Sequence, residues 1–179
     1  MAVTRLLRAE DAAALGEILR DNRGFLAPWQ PRRTERFYTD DGQHDCIRKA
    51  LDEHAAGGSV PLVILDEYAR VIGTVTLQSI IRGAFQSCSV GYWLAQDAQG
   101  RGLATRAVRD AVHIAFEDLR LHRVQAVTLP QNQPSQRVLE RVGFTQYGVA
   151  PAYLSIAGRW QDNDLYQLLT SNPDRVQTD

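Results

Sequence analysis

Apolar and polar residues alternate along the chain with two periods, one typical of strands and one typical of helices. Stretches rich in β-branched and aromatic residues predict strands at 4–7, 60–65, 70–81, 86–94, 123–129, 145–156 and 164–169. Helices are predicted at 10–21, 41–56 and 102–118, with a shorter one from Pro134 to a stop at Gly143. The second, third and fourth strands predict an antiparallel meander. We expect the polar residues 171–179 to be frayed.

The helix at 102–118 has the clearest amphipathic pattern. One face is apolar and the opposite face carries charged residues; the apolar positions are Ala104, Ala107, Val108, Ala111, Val112, Ala115 and Leu119. Such a face must be buried, so we expect this helix to pack on the sheet. Residues 22–31 break the pattern instead, because Phe25, Leu26 and Trp29 stand among glycine and proline where a loop is normally polar. They either cover the core or line a pocket.

Composition narrows the function only by exclusion. The 179 residues are 44% hydrophobic and 23% charged, as in an ordinary single domain. A net charge of -1 without a basic stripe argues against binding to DNA. No apolar run approaches the roughly 20 residues of a membrane span, and the N-terminus does not resemble a signal peptide. We therefore expect a cytoplasmic protein without membrane contact.

The cysteines and histidines indicate neither redox nor metal chemistry. Cys46 and Cys88 lack a CxxC spacing, and we expect reduced thiols, with Cys88 packed inside an apolar strand. His44 and His54 have no ligand spacing, so no metal site is expected.

One continuous stretch, residues 90–105, reads V-G-Y-W-L-A-Q-D-A-Q-G-R-G-L-A-T: an apolar strand, a glycine-rich loop and a helix start. A helix N-terminus has N–H groups without intrahelical partners and carries about half a positive charge, which suits an anion such as pyrophosphate. Small residues at Gly100, Gly102 and Ala104 let such a ligand approach the backbone. The stretch is therefore a candidate phosphate-binding loop.

Three phosphate-binding patterns can be compared with this loop. A P-loop requires Gly-Lys-Ser/Thr, but Gly102 is followed by Leu-Ala. A dinucleotide fingerprint fits poorly, because Thr105 occupies the place of its third small residue and the next strand ends in Pro130 rather than in an acidic residue. The pattern Q/R-x-x-G-x-G/A is met by Gln99, Gly102 and Ala104.

A second motif supports the third pattern. Residues 132–144 read N-Q-P-S-Q-R-V-L-E-R-V-G-F. They resemble the N-x-x-S-x-x-(V/L)-L-E-x-x-G-F segment of the GCN5-related N-acetyltransferase (GNAT) superfamily, whose acetyl-CoA pyrophosphate loop carries that third pattern. Four further stretches resemble its ribosomal-protein-alanine (RimJ/RimL-like) branch: N-R-G-F-L-A-P-W at 22–29, V-G-Y-W-L at 90–94, L-H-R at 121–123 and G-R-W-x-D at 158–162.

This resemblance implies a single GNAT domain over residues 1–179. The implied fold is a mixed α/β one, with a mostly antiparallel sheet of six to seven strands and about four helices. The strand at 123–129 is expected to splay from the strand at 86–94, leaving a V-shaped gap for the cofactor. The implied cofactor is acetyl-CoA, and the residues expected to bind it are Trp93, Leu94, Gln99, Gly100, Arg101, Gly102, Leu103, Ala104, Thr105, Asn132 and Ser135.

The implied reaction is direct transfer of acetyl from the thioester to a primary amine. A backbone N–H near Leu94 would stabilise the oxyanion, and Ser135 would protonate the departing sulfur. Asn132 would position the pantetheine arm or its water, with helix capping as the alternative for Asn132 and Ser135. The acceptor side would be lined by Phe25, Trp29 and Tyr153.

A general base is harder to assign. Some relatives carry glutamates where this sequence has Tyr147 and Ala152, and Asp162, although in its family position, is equally well explained as a turn residue. An α-amine with a pKa of about 7.8 is about one-seventh neutral at pH 7, whereas a lysine amine is neutral at about four parts in ten thousand. A weak base therefore suits an N-terminal amine better than a lysine.

Three functions stay open at this point. The first is acetylation of protein N-termini, with ribosomal proteins bearing N-terminal alanine as the typical acceptors of the resembling branch. The second is acetylation of a small-molecule amine, such as a polyamine or an antibiotic. The third is acyl-CoA binding without turnover. A monomer and a homodimer are both compatible with the sequence.

Overall fold

The computed structural model describes residues 3–171 and contains one mixed sheet. Its strands are β1 (Thr4–Leu6), β2 (Val60–Leu65), β3 (Val71–Ile81), β4 (Ser87–Leu94), β5 (Arg123–Thr128), β6 (Thr145–Ile156) and β7 (Arg159–Leu169). They are ordered β1-β2-β3-β4-β5-β7-β6. The predicted strand count is confirmed, although β7 begins earlier than expected because a tight turn pairs Ile156 directly with Arg159. Except for Ser171, the tail expected to fray lies outside the described residues.

The described residues form α1 (Ala12–Asp21), α2 (Arg23–Leu26), α3 (Asp40–Ala55), α4 (Leu103–His113) and α5 (Gln133–Val142). α4 continues as a π-helical turn over Ile114–Asp118, so the helical stretch ends where the sequence predicted. The additional helix, α2, lies in the segment that interrupts the sequence pattern. It passes into a 3-10 turn, in which Pro28 is tolerated because the first turn needs no N–H from it. Within residues 3–171 no helix is both long and apolar enough to cross a membrane.

The sheet is open at its centre, because β4 and β5 pair over only a few residues. β1 to β4 form the predicted antiparallel meander, and β5, β7 and β6 are also paired antiparallel. β4 and β5 run parallel, and their register is limited to Ser87, Cys88 and Ser89 opposite residues 123–125. Beyond Ser89 the two described strands no longer pair. The expected splay between them is thus present.

Helices cover both faces of this sheet. On β2, Val63 packs with Ala12 and Leu15 of α1 and with Ile47 of α3 in one core cluster. Successive strand residues point to opposite faces, so Leu62 and Ile64 contribute to the other cluster, with α4 and α5. The predicted packing of α4 on the sheet is confirmed, since its apolar face supplies the buried residues Ala107, Val108 and Ala111.

Cys88 has the packing role that the sequence predicted. It lies in β4 with 2% of its surface exposed. Burial raises the pKa of its thiol to about 12, which keeps the sulfur protonated and unreactive near neutral pH. Cys46 is a free, exposed thiol on α3.

Candidate active site

The glycine-rich loop forms the N-terminus of α4. Gly100 and Gly102 have φ values of +74° and +73°, in the left-handed region that glycine enters without steric cost. A Cβ atom built on either glycine would meet nothing within 4 Å, so the backbone faces open space. The N–H groups of Leu103, Ala104 and Thr105, in the first turn of α4, have no acceptor within the helix. The first N–H that does is that of Arg106, which donates to the Gly102 carbonyl. The loop therefore presents backbone donors that an anion can reach.

A cavity of about 410 Å³, the cofactor cavity below, lies against this loop. Residues predicted to bind the cofactor form much of its wall: Trp93, Leu94, Gln99, Gly100, Gly102, Leu103, Ala104, Thr105, Asn132 and Ser135. Arg101 was also predicted, but it does not line this cavity, and its guanidinium pairs with Glu67 at 2.8 Å on the surface. Apart from the Arg101 side chain, the fold brings the predicted set together.

A second cavity of about 180 Å³ lies between the diverging strands β4 and β5. We call it the acceptor cavity, because Trp29, which was predicted on the acceptor side, lines it. β6 and β7 close its far side through Leu154, Ile156 and Asn163. Six residues line both cavities: Leu26, Trp29, Tyr92, Trp93, Asn132 and Ser135. Occupants of the two cavities would therefore meet at these shared residues.

Two hydroxyl groups face each other at this junction. The Tyr92 and Ser135 hydroxyl oxygens lie 2.8 Å apart, and the phenol also donates to the Ser135 carbonyl at 3.1 Å. Burial raises the pKa of Tyr92 to about 12, so the phenol keeps its proton at every physiological pH. Sequence reasoning missed Tyr92, because only the packing of α5 beside β4 brings its hydroxyl to Ser135.

Comparison with known proteins identifies the family. Residues 3–145 match the model of the acetyltransferase (GNAT) domain. The chain belongs to the GNAT acetyltransferase family. The ribosomal protein uS5-alanine N-acetyltransferase of Escherichia coli is 32% identical over 169 residues, which cover 94% of this chain and 87% of that protein.

Solved structures agree with this assignment to the GNAT family. Ribosomal-protein-S5-alanine acetyltransferase from Vibrio fischeri has a TM-score of 0.90 at 33% identity, covering 94% of this chain and 93% of that one. RimJ of Mycobacterium smegmatis, in complex with CoA-disulfide, has a TM-score of 0.89 at 30% identity, covering 93% and 80%. The implied family and the implied use of acetyl-CoA are thereby confirmed, and the protein is an acetyl-CoA-dependent N-acetyltransferase.

The cofactor cavity of this GNAT protein fits coenzyme A in its donor set. Backbone N–H groups at the start of α4 suit the pyrophosphate, and the open space above Gly102 lets the phosphates approach. Arg137 and Arg141 also line the cavity, which adds positive charge next to that loop. Sequence reasoning overlooked both arginines. Their spacing of four residues places them on the same face of α5 as Pro134 and Val138, which also line the cavity.

The backbone of Leu94 is oriented as the GNAT resemblance implies. The next residue, Ala95, donates its N–H to the Ile72 carbonyl at 2.9 Å. Successive N–H groups of a strand point to opposite edges, so the Leu94 N–H points away from β3, toward the gap beside β5. Leu94 also lines the cofactor cavity. Its N–H is thus available to a ligand oxygen, and its catalytic role stays a prediction.

Asn132 and Ser135 differ in their relation to α5. The Oδ1 atom of Asn132 accepts from the backbone N–H of Ser135 at 3.2 Å, so Asn132 is the N-terminal cap of the helix. The Ser135 hydroxyl does not cap; it pairs with Tyr92. The alternative of helix capping therefore applies to the Asn132 oxygen and not to the Ser135 hydroxyl. Their proposed roles toward pantetheine and sulfur stay predictions.

The three aromatic residues predicted on the acceptor side are placed differently. Trp29 lines both cavities, but Phe25 lines only the cofactor cavity. Tyr153 lines neither and is 49% exposed, while its neighbour Leu154 lies at the wall of the acceptor cavity. Gly148, Ala150, Leu154 and Ile156 are the covered positions of β6, so Tyr153 lies on the opposite, exposed face of the strand.

Tyr147 and Asp162, which occupy positions discussed for a general base, do not line either cavity. The Tyr147 hydroxyl accepts from the Gln125 side chain at 2.8 Å, and Asp162 accepts from the Ala152 N–H at 2.8 Å. Among the described residues that line the acceptor cavity there is no Asp, Glu, His, Lys or Arg. Its polar lining consists of amide and hydroxyl side chains and backbone.

Proposed function

We propose that this acetyltransferase modifies the N-terminal α-amine of a protein, with ribosomal proteins bearing N-terminal alanine as the acceptors. The E. coli and V. fischeri relatives named above carry this specificity in their names, and they match nearly the whole chain. Such acceptors place the enzyme in the cytoplasm. The observation that carries the proposal is the absence of charged side chains among the described residues lining the acceptor cavity.

An uncharged acceptor cavity favours an amine that loses its proton easily. Without a carboxylate or imidazole in the described lining, the amine must arrive neutral or release its proton to water. An α-amine is about one-seventh neutral at pH 7, and a lysine amine about four parts in ten thousand. The same enzyme would therefore meet neutral α-amine several hundred times more often than neutral lysine, at about equal concentration.

The same lining disfavours polyamines. A polyamine that presents one amine for reaction carries at least one further ammonium group into or beside the cavity. Burying an ammonium without an acidic partner is unfavourable by several kcal/mol. The described lining offers it only amide, hydroxyl and carbonyl oxygens.

The residues at the junction can assist transfer to such an amine. Acetyl-CoA, when bound, supplies an activated acetyl thioester. The Leu94 N–H points into the gap, where it can donate to the thioester carbonyl oxygen as negative charge develops there. The Ser135 O–H can turn from Tyr92 to the departing sulfur, while the Tyr92 O–H keeps its bond to the Ser135 carbonyl. A thiol ionises near about pH 8.5, so hydrogen bonding is sufficient assistance.

Three acceptors, each offering a different kind of reactive amine, test the proposal. The first is an N-terminal alanine peptide with dimethylated lysines, the second is the same peptide with a blocked N-terminus and free lysines, and the third is spermidine. Release of the CoA thiol gives kcat/KM, and mass spectrometry locates the acetyl group. We expect the alanine peptide to be preferred by at least about a hundredfold. Equal or faster turnover of spermidine would contradict the proposal.

A further inference from the structure

The wall of the acceptor cavity contains a buried hydrogen-bond acceptor that has no partner. Asn163 lies in β7 with 2% of its surface exposed. Its Oδ1 atom has no hydrogen-bond partner within residues 3–171. The cavity wall around it includes apolar side chains of Leu129, Leu139, Leu154 and Ile156. Buried polar atoms are nearly always paired, because removing them from water without a partner is unfavourable.

The position of Asn163 indicates which ligand atom can supply the missing donor. The acceptor's reacting nitrogen must come to the residues shared by the two cavities, around Tyr92 and Ser135. Asn163 lines the acceptor cavity and not the cofactor cavity, so it lies behind that point. Its Oδ1 atom is covered in this structure, so a donor reaches it after the amide turns about χ2, a torsion with broad preferences. In an N-terminal peptide, the first N–H behind the α-amine belongs to the peptide bond between residues one and two.

We propose that the Asn163 Oδ1 atom accepts a hydrogen bond from the first peptide N–H of the acceptor protein. This assignment rests on the proposed N-terminal acetylation. It gives Asn163 a binding role, because the contact fixes the first residue of the acceptor relative to the Tyr92–Ser135 junction. It also gives the enzyme a means to reject amines that carry no N–H behind the reacting nitrogen, including N-terminal residues followed by proline.

A backbone ester provides the direct test. Two acceptor peptides begin with alanine and differ only in the bond after it, which is an amide in one and an ester in the other. The ester replaces the N–H by an oxygen that cannot donate, and both peptides are assayed at about pH 9, where the α-amines are neutral. For the wild-type enzyme we expect kcat/KM to be about tenfold lower on the ester peptide. The two peptides are then compared with two enzyme variants. Asn163→Leu removes the oxygen acceptor, and Asn163→Asp retains one.

The variants form a double-mutant cycle with the peptides. Asn163→Leu is expected to lower activity on the amide peptide and to reduce the amide-to-ester ratio to within about twofold of one, because neither partner of the bond remains. Asn163→Asp is expected to keep a ratio above that of Asn163→Leu. Any effect of the ester on the α-amine itself is the same for all enzymes and cancels in the comparison.

Stability and cofactor affinity separate a binding role from a structural one. Asn163→Leu removes an unpaired buried acceptor, so its thermal midpoint is expected at or above that of the wild type. Its affinity for acetyl-CoA, measured by titration calorimetry, is expected to be unchanged. A lowered midpoint with an unaltered amide-to-ester ratio would assign Asn163 to the fold instead.

Failure of this inference can be told apart from failure of the proposed function. If the wild-type enzyme acetylates both peptides equally well, or if Asn163→Leu retains the full ratio, the hydrogen bond does not exist although N-terminal acetylation stands. If no alanine peptide is acetylated while spermidine is, the proposed function itself is wrong. Because both α-amines are neutral at about pH 9, the wild-type ratio decides the first question even where a variant does not fold.

Discussion

The hydroxyl oxygens of Tyr92, in β4, and Ser135, in α5, lie 2.8 Å apart where the cofactor and acceptor cavities meet. The two residues are separated by α4 and β5 along the chain, and the packing of α5 beside the open end of β4 brings them together. Since Asn132 provides the cap of α5, the Ser135 hydroxyl is free of that task. The pair is thus available to a ligand at the junction.

Replacement of Ser135 by alanine tests whether this pair assists departure of the thiolate. Ser135→Ala is expected to lower kcat by about 10- to 10³-fold with little change in acetyl-CoA affinity. Its thermal midpoint is expected to fall only slightly, because the Tyr92 O–H keeps its bond to the Ser135 carbonyl. Steady-state kinetics and a melting curve on one preparation check this. Wild-type turnover with a lowered midpoint would make Ser135 structural.

Tyr92→Phe is the matched variant for the other member of the pair. It retains the ring that packs in the core and removes only the hydroxyl. If the two hydroxyls act as one unit, the double variant loses about as much kcat as the more damaging single variant. Fully additive losses would instead mean that Tyr92 and Ser135 assist independently.

Cofactor binding is expected to depend on the backbone at Gly102. A branched side chain there would fill the open space in front of the loop, so Gly102→Val is expected to weaken acetyl-CoA binding by tenfold or more, about 1.4 kcal/mol. Gly57→Val is a matched control, since Gly57 also has positive φ and open space around its Cβ but lies outside the cavity. Titration calorimetry on both folded variants compares them. Equal affinity of the two variants for acetyl-CoA would show that the cofactor does not bind against the loop at Gly102.

The cofactor loop could be predicted because its signal is local in sequence. Spacing of glycines at a helix start defines the conformation of the backbone, and the structure shows that conformation at Gly100 and Gly102. The direction of a side chain depends less on the local sequence. Arg101 lies in the same loop, yet it turns outward to Glu67, while Arg137 reaches the cavity from α5. Which arginine lines the cavity depends on how the two helices pack, and sequence spacing does not contain that information.

The lining of the acceptor cavity was harder to predict, because it depends on which face of each strand is covered. The wall residue is Leu154 and not Tyr153, because the covered residues of β6 are all even-numbered and Tyr153 faces outward. Ala152 has a φ of +45°, which a regular strand does not contain. Between its pairings at Ala150 and Leu154, β6 contains two more residues than β7, which leaves the same face inward, but residue types alone reveal neither this bulge nor which face is covered. Asn163 was missed as well, since an isolated asparagine in a strand carries no sequence signal.

The pH dependence of acetylation should follow the acceptor amine. Because the amine must be neutral, kcat/KM for an alanine peptide is expected to rise about tenfold per pH unit and to level off near pH 8. No decline is expected up to pH 10, since the pKa of Tyr92 is raised to about 12 by burial and its proton stays in place. An acceptor with a lower amine pKa should shift the rising limb by the same amount. If the rising part of the pH profile stays at the same pH for both acceptors, a group of the protein acts as the base.

Arg137 is expected to strengthen cofactor binding through its charge. Arg137→Gln keeps a polar side chain of similar reach and should raise KM for acetyl-CoA about three- to tenfold at low salt, with a smaller effect as salt screens the charge. Arg48→Gln is the control, because Arg48 is exposed, pairs with Asp45 and lines neither cavity. An increase in KM that does not depend on salt would point to lost packing rather than lost charge.

Stability should depend on pH through Asp11, a buried carboxylate near the start of α1. Asp11 accepts two hydrogen bonds from the Arg5 guanidinium, at 2.7 and 2.8 Å, and one from the Arg8 N–H at 2.8 Å. Burial raises the pKa of Asp11, but these bonds outweigh burial and hold its pKa below the ordinary value. A depressed pKa in the folded state means that the stabilisation is present above the unfolded pKa and is lost as pH falls through the folded one.

Asp11→Asn should therefore be less stable than the wild type at neutral pH, by about 1–3 kcal/mol, because the ion pair with Arg5 is lost. Urea unfolding between pH 7 and pH 3 measures the difference. It is expected to shrink below about pH 4, where the Asp11 carboxylate of the unfolded chain takes up a proton before that of the folded protein. Glu35→Gln is the control: the Glu35 carboxylate is 80% exposed in its pair with Arg23, so its removal should have little effect. A difference for Asp11→Asn that stays constant down to pH 3 would mean that the contact stabilises the fold through its shape and not through its charge.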